Sequence, residues 1–329
     1  MIRLATLGIL GSLVLILCSP VAAKPDKAEI RIPKGYKAPI ITASDRLATV
    51  AAEAVKLTVA ERKNVNEEQL AVTLIDLRNA DSWQVGSFRG DQRTYPASVV
   101  KLFYLAAVER QLEDGQVKDS PEIERAIRNM IVDSSNDATQ FLVDVITGTS
   151  SGPDLAPKLF EDWQFKRNRV NRWLAALGYS GINVDQKTVC EDAYGVEQQS
   201  RKLNGGNLNS LTTNAVARML AEIVTRRMNT PERTAQMMSL LSRDWTKTST
   251  DLDNQAAAFT GRMLRERKLD GVRLWSKAGW TSTTRHDAVY LETPDGQKLV
   301  VVVFTVGHAA EHDIIPALTG HIFDEIRGR

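Results

Sequence analysis

The sequence predicts an α/β fold, more narrowly α+β, in which helices flank one antiparallel sheet and an all-helical lobe is inserted. Strand patterns lie towards both ends of the chain, at 70–77, 83–88, 272–277, 288–293 and 299–306. Between them, from 98 to 210, apolar residues recur mainly at helical spacing. We therefore expect one discontinuous domain, with residues 44–97 and 211–329 in a sheet lobe and 98–210 in a helical lobe.

The first 23 residues have the three-part layout of a secretory signal peptide. A basic start, Met1-Ile2-Arg3, precedes an apolar run from Leu4 to Leu17, and Val21-Ala22-Ala23 matches the small-residue cleavage pattern. We expect cleavage there and a secreted or periplasmic protein without a stable membrane span. The alternative is a membrane anchor, for which roughly 20 apolar residues would be needed.

Residues 24–43 are rich in Lys and Pro, a composition that predicts an extended tether after the cleavage site. Lipid attachment at Cys18 is disfavoured, since Leu17 stands where a small residue is wanted. Cleavage would leave Cys190 as the remaining cysteine, so no internal disulfide is expected. As a nucleophile Cys190 is a weak alternative, because no His lies within about fifty positions of it.

The overall composition is that of an ordinary globular protein. The 329 residues are 43% hydrophobic and 25% charged, with a net charge of +2. This balance favours neither a nucleic-acid partner nor strong attraction to a membrane surface. We expect a monomer that acts on a small molecule.

Caps and breakers place the elements of the first half in order. Ser44 caps a helix to about Val59, and strands at 70–77 and 83–88 are joined by a turn at 79–81. Pro96 and Gly115 delimit a helix from Ala97 to about Glu113. Further helices are predicted from Pro121, at 137–146 and at 169–177.

The second half begins with an aperiodic, polar stretch at 183–209, long enough to be a functional loop. Helices are predicted next at 215–225, 231–241 and 254–264. Three strands then follow, the last two joined by a turn at Asp295-Gly296, and a helix at 314–326 closes the chain.

A serine and a lysine three positions apart, Ser98 and Lys101, stand at the head of the long apolar helix. On a helix such positions share a face. A lysine that has lost its water has a lowered pKa and can take a proton from a neighbouring hydroxyl. Alone, the pair has an ordinary alternative, a helix serine beside a solvated lysine.

Two further short elements follow in chain order. They are Ser134-Ser135-Asn136, on a loop between helices, and Lys277-Ala278-Gly279, at the end of a strand. This series resembles the S-x-x-K, S-D-N and K-T-G motifs of the serine β-lactamase and penicillin-binding protein superfamily, most closely the class A β-lactamases. The resemblance spans about residues 44 to 326 and implies a β-lactamase/transpeptidase-like fold.

The resemblance implies a role for each residue and requires no cofactor or metal. Ser98 would form an acyl-enzyme, and Lys101 would take its proton or orient it. Ser134 would relay a proton under the influence of Lys277, and Asn136 would bind the substrate amide. The backbone N–H groups of Ser98 and Trp280, beside Gly279, would form the oxyanion hole.

Arg285 would take a substrate carboxylate, since its fork fits that group at two points. Its alternative is a structural ion pair, for instance with Asp287. Three departures weaken the match. Ser135 replaces the aspartate of the family, Ala278 replaces its hydroxyl residue, and the gap between the first two motifs is short.

The group that would release the acyl chain is expected in the polar stretch at 183–209. Class A enzymes use a loop glutamate, and counting back from Thr212 points to Glu197, with Glu191 as second choice. The expected asparagine partner is missing, because Arg201 stands in its place.

Several functions therefore stay open at this point. The resemblance favours a secreted β-lactamase-like hydrolase, associated with antibiotic resistance, that acts on β-lactams or a related peptide of the peptidoglycan kind. A sensor-type domain that is acylated without turnover, and a peptidase or esterase, are alternatives. His308 to His312 also fits a zinc-peptidase pattern, but it follows a strand where that pattern needs a helix.

Overall fold

The computed structural model describes residues 29–79 and 81–327. Its centre is a seven-stranded sheet of order β1-β3-β2-β7-β6-β5-β4, in which all neighbours are antiparallel except β1 and β3. The strands are β1 (Ile40–Ala43), β2 (Leu70–Asp76), β3 (Ser82–Phe88), β4 (Ser242–Arg243), β5 (Arg273–Trp280), β6 (Thr284–Glu292) and β7 (Lys298–Val306). Strands from both ends of the chain share this sheet, so the predicted fold class is confirmed.

Helices cover the sheet and fill the stretch between β3 and β4. In the described residues they are α1 (Asp45–Ala60), α2 (Lys101–Glu113), α3 (Pro121–Ile131), α4 (Asn136–Thr147), α5 (Pro157–Arg167), α6 (Arg169–Ala176), α7 (Val196–Arg201), α8 (Thr213–Val224), α9 (Pro231–Leu241), α10 (Phe259–Glu266) and α11 (Ile314–Arg327). No helix in this part of the chain is both long and apolar enough to cross a membrane.

The valine-rich strand β7 shows why both faces of the sheet are covered. Its side chains alternate between two cores, because successive residues of a strand point to opposite faces. Val300, Val302 and Phe304 join a core with α2 and α8. Val301 and Val303 join a second core with α1, α10 and α11.

Helix α2 is the central support of the site. Every residue from Lys101 to Leu112 is buried, including charged side chains. A short 3-10 turn, Ala97–Val100, leads into it and carries Ser98. The nucleophile candidate is thus fixed by a helix that is packed on all sides.

Several elements differ from the sequence prediction. Strand β1 lies inside the predicted tether and pairs in parallel with β3. Helix α7 lies inside the stretch predicted as an aperiodic loop, and α5 was not predicted. Helix α10 begins at Phe259, because residues 254–258 form turns in which Asn254 accepts from the backbone N–H groups of Ala256 and Ala257. The predicted signal peptide, Cys18 and part of the tether lie outside the described residues.

Candidate active site

Ser98 lies where the 3-10 turn meets the end of strand β5. Ala97 just before it has a φ of +47°, a left-handed conformation that alanine rarely adopts. A Cβ atom at Gly279 would stand only 2.7 Å from the backbone nitrogen of Ser98 and 2.8 Å from that of Val99. Glycine at 279 therefore allows β5 to approach the serine closely.

Lys101 is fully buried and follows Ser98 by one helical turn. Its Nζ donates to the backbone oxygen of Ser134 at 2.5 Å and to Asn136 Oδ1 at 2.8 Å. Burial lowers the pKa of Lys101 from 10.5 to about 7, and the electrostatic influence of Cys190 opposes this shift. Near neutral pH the amine is thus partly in the form that can accept a proton.

The Ser134 hydroxyl lies between two buried amines. Its Oγ is 2.9 Å from Lys277 Nζ and 3.3 Å from Lys101 Nζ. Burial, followed by the positive charges of Lys101 and Arg243, holds the pKa of Lys277 well below its usual value. Both amines can donate to Ser134, so its own proton can point towards a bound ligand.

Asn136 joins this centre to the loop before α7. Its Oδ1 accepts from Lys101, and its Nδ2 points to the Val189 carbonyl at 3.5 Å and to Cys190 Sγ at 3.8 Å. Cys190 is exposed. No sequence pattern indicates that this thiol lies at the site, because the two residues are 54 positions apart.

Gln255 is a site residue for which the sequence carried no motif. Its Oε1 accepts from Lys277 Nζ at 2.7 Å and from the backbone N–H of Ala278 at 3.1 Å. Its Nε2 donates to the carbonyls of Ile131 at 3.3 Å and Val132 at 3.0 Å, at the end of α3. One amide side chain thus joins the sheet to the helical region beside Ser134.

The outer edge of β5 is uncovered where the strand approaches Ser98. Strand β4 pairs only with Leu274 and Trp275, so it leaves the later part of this edge uncovered. The Ala278 N–H points outwards to Gln255, and the alternation of a strand places the Trp280 N–H on the same edge. The two predicted oxyanion donors, at Ser98 and Trp280, therefore lie on adjoining segments.

Arg285 is paired inside the protein. Its guanidinium is 2.5 Å from Asp253 Oδ1 and 2.5 Å from the Leu252 carbonyl, and it lies 3.9 Å over the ring of Phe259. The Arg285 side chain is 2% exposed. Asp287, the partner considered from the sequence, instead accepts from Thr260.

Glu197 lies in a buried ion cluster. Its two carboxylate oxygens accept from Arg167 at 2.7 and 2.8 Å, and Lys187 Nζ lies 3.0 Å away. Burial opposes its charge, but these two cations outweigh that effect and lower the pKa of Glu197. Among the described residues, none of its hydrogen bonds reaches Ser98, Lys101 or Ser134.

The expected deacylation base is thus not brought to the site. The count along the sequence did not allow for α7, whose first turn holds Glu197 against Arg167 of α5. Glu191, the second choice, is exposed in the preceding loop.

The zinc-peptidase pattern does not form a helix here. His308 and Glu311 contact each other through Nδ1 and Oε2, in a turn that follows β7 and Gly307. Nowhere in residues 29–79 and 81–327 do three or more His, Cys, Asp or Glu side chains form a group able to hold a metal ion.

A family model described as "Beta-lactamase enzyme family" matches residues 52–326. The chain belongs to the β-lactamase enzyme family. A search of curated proteins found no match. The matched range contains all three motif elements and the whole site described above.

Solved structures share the fold of this β-lactamase-family chain. A β-lactamase from Sphaerobacter thermophilus DSM 20745 has a TM-score of 0.59 at 20% identity, covering 84% of this chain and 95% of its own. A β-lactamase from Chitinophaga pinensis DSM 2588 has a TM-score of 0.57 at 16% identity, covering 84% and 97%. An acyl-enzyme complex of a PBP-A mutant with penicillin G has a TM-score of 0.59 at 13% identity, covering 88% and 100%.

Proposed function

We propose that the protein is a secreted or periplasmic serine hydrolase that forms an acyl-enzyme at Ser98. The observation that carries the proposal is the setting of Lys101, a fully buried amine one turn after Ser98, held by Ser134 and Asn136. A buried lysine with a pKa of about 7 is suited to accept the proton of a serine hydroxyl. Its membership of the β-lactamase enzyme family supports the same chemistry.

The proposed reaction has two steps at one carbonyl. Lys101 takes the hydroxyl proton, Ser98 Oγ bonds to the carbonyl carbon, and the N–H groups of Ser98 and Trp280 stabilise the resulting oxyanion. Ser134 then gives its proton to the leaving nitrogen as the C–N bond breaks, and regains one from the neighbouring amines. Water later cleaves the ester and frees Ser98.

The proposed substrates are β-lactams or a related amide of the peptidoglycan kind. A strained cyclic amide suits a site that combines a serine, a base and backbone donors. The likeness to a PBP-A mutant complexed with penicillin G supports this substrate class.

A second candidate is a domain that is acylated but turns over slowly. The specific observation in its favour is the position of Glu197, whose carboxylate is engaged by Arg167 and Lys187. General base assistance contributes roughly 10²- to 10⁴-fold. An acyl-enzyme without it would persist for much longer.

Intact-mass measurements after exposure to benzylpenicillin would test both candidates. We expect one adduct per chain, lost in Ser98→Ala and retained in Ser239→Ala, a matched change at an exposed helix position. An adduct that decays with product release supports the hydrolase, whereas a stable adduct supports the slow candidate. An unchanged adduct in a folded Ser98→Ala variant would refute acylation at Ser98.

Export is part of the proposal and needs its own test. The basic start, apolar run and Ala23 cleavage position support it. Sequencing of the exported protein should find Lys24 as the first residue. A mature chain that retains Met1 would contradict cleavage.

A further inference from the structure

We propose that His286 is a positioning residue for acylation, and that its imidazole holds the turn that carries Ser98 through a hydrogen bond to the Tyr95 carbonyl. This inference rests on the proposed acylation of Ser98 and adds to it a residue outside the three motif elements. It comes from the contacts of the buried ring and from the unusual backbone between Tyr95 and Ser98.

His286 lies in the sheet directly beneath this turn. It stands opposite Gly279 of β5 and opposite Phe304 of β7. Residues directly opposite each other in an antiparallel ladder share a face of the sheet. Gly279, next to His286 in this row, is the residue that approaches the Ser98 nitrogen. The His286 side chain is fully buried and its ring stacks on Phe304, with the ring centres 4.2 Å apart.

Two hydrogen bonds determine which ring nitrogen of His286 carries the proton. The Thr305 N–H donates to Nδ1 at 3.2 Å, so Nδ1 bears no hydrogen. In the neutral ring Nε2 then carries the proton and donates to the Tyr95 carbonyl at 3.0 Å. Burial lowers the pKa of His286 from 6.5 to about 4, so the ring is uncharged at neutral pH. The imidazole is therefore a fixed donor to Tyr95.

The Tyr95 carbonyl lies three residues before the nucleophile, next to a backbone that needs support. Ala97 has a φ of +47°, and a residue other than glycine keeps such a conformation only where its surroundings hold it. Upstream, the Thr94 N–H donates to the Leu211 carbonyl at 2.9 Å. The bond from His286 holds the next residue along the chain, immediately before the turn.

A displaced turn would disturb two parts of the proposed reaction. Ser98 supplies both the attacking oxygen and one of the two proposed oxyanion donors. Lys101 is held separately, by its contacts to Ser134 and Asn136. A misplacement of about 1 Å between reacting groups can cost roughly 10²-fold in rate. Loss of the bond to Tyr95 should therefore slow acylation even in a folded protein.

Two variants that each keep half of the imidazole test the inference. His286→Gln places an amide N–H where Nε2 stands, whereas His286→Asn places an oxygen where Nδ1 stands and leaves Tyr95 without its donor. Acylation by benzylpenicillin is followed by intact mass. We expect His286→Gln to keep most of the wild-type rate and His286→Asn to lose roughly 10²-fold. Equal rates in the two folded variants, or a lower rate in His286→Gln, would overturn the inference.

The matched control is His321→Asn, the same change on α11. His321 Nε2 lies 3.2 Å from Glu61, on the other side of the sheet, so the acylation rate should stay at the wild-type value. Circular dichroism and urea unfolding would show that each variant folds. A loss of rate in His321→Asn as large as that in His286→Asn would overturn the inference.

A crystal structure of His286→Asn would separate this inference from the proposed function. We expect Ala97 to leave its φ of +47° and the Ser98 turn to move away from Gly279. An unchanged turn would overturn the inference even if benzylpenicillin labels Ser98. A wild-type protein that benzylpenicillin does not label would instead refute the proposed acylation, and the crystal structure would still decide whether His286 holds the turn.

The wild-type protein offers a further test if His286→Asn does not fold. The chain has four histidines, so a sample labelled with ¹⁵N-histidine gives few ring signals in NMR spectra. We expect the His286 ring, assigned by its loss in His286→Gln, to carry its proton on Nε2 at pH 7. A proton on Nδ1, or a charged ring, would overturn the inference.

Discussion

Glu197 and Arg167 form a buried two-point ion pair, with Nη1 2.7 Å from Oε2 and Nη2 2.8 Å from Oε1. The Arg167 side chain is fully buried. Lys187 and Asp144 extend the pair into a cluster that joins α4, α5 and α7. Through Lys187 the cluster also holds the start of the loop whose residues Val189 and Cys190 contact Asn136.

The variant Glu197→Gln should therefore lower the free energy of unfolding more than it lowers the rates of acylation and deacylation. Removing the charge leaves Arg167 buried beside fewer negative groups, and breaking such a pair costs about 3 kcal/mol or more. Urea unfolding would measure this loss. Glu191→Gln, in the same loop but exposed, should change stability by less than about 0.5 kcal/mol. If Glu197→Gln is as stable as wild type and only its deacylation is lost, Glu197 is the general base after all.

Acylation should depend on pH through Lys101. Its amine must be uncharged to accept a proton, and its pKa is about 7. Below that pH the rate should fall about tenfold per pH unit as the amine becomes protonated, and above it the rate should level off. Acylation rates measured by stopped flow or intact mass from pH 5 to 9 would show this acidic limb, the fall in rate below pH 7.

The control for the Lys101 prediction is Lys101→Arg. A guanidinium stays charged across this range, so the variant should be slower by roughly 10²-fold or more and should lack the limb near pH 7. The same limb in Lys101→Arg would assign the titration to another group.

The residues expected to carry out the chemistry could be predicted from the sequence because they belong to short motifs. Ser98 and Lys101 are neighbours on one turn, and the structure places Ser134 and Lys277 around them. The continuous apolar run of β7 likewise predicts a strand, which the structure buries on both faces. In each case the signal lies within a few consecutive residues.

The parts that could not be predicted depend on contacts between distant segments. Gln255 reaches Val132 across 123 positions, and Asp253 reaches Arg285 across 32. Nothing in the local sequence distinguishes these side chains from ordinary loop residues. The same holds for Glu197, whose partner Arg167 lies on a helix that the sequence did not indicate.

Glycine at position 279 should be required for acylation. In Gly279→Ala the new Cβ would lie 2.7 Å from the Ser98 nitrogen and 2.8 Å from the Val99 nitrogen, so β5 and the 3-10 turn must separate. That shift would move the oxyanion donors, each of which is typically worth roughly a hundredfold in rate. Acylation kinetics should show a loss of at least this size.

The matched change for this prediction is Gly152→Ala. A Cβ at 152 would meet nothing within 4 Å, so the acylation rate should stay at the wild-type value. Circular dichroism would confirm that both variants fold. A folded Gly279→Ala variant with wild-type acylation would show that the close approach of β5 is not needed.

Gln255 should behave as a positioning residue whose loss lowers both stability and rate. Gln255→Leu keeps the bulk but leaves Lys277, the Ala278 N–H and the Val132 carbonyl without their amide partner. Each unpaired buried group costs about 1–3 kcal/mol.

The variant Gln255→Glu separates positioning from packing, because its carboxylate still accepts from Lys277 and should keep that amine protonated to higher pH. We expect a pH–rate profile displaced from that of the wild type in Gln255→Glu, because Lys277 and Lys101 both contact Ser134, and no change in Gln236→Leu, at an exposed position on α9. Identical profiles in wild type and Gln255→Glu would restrict Gln255 to a packing role.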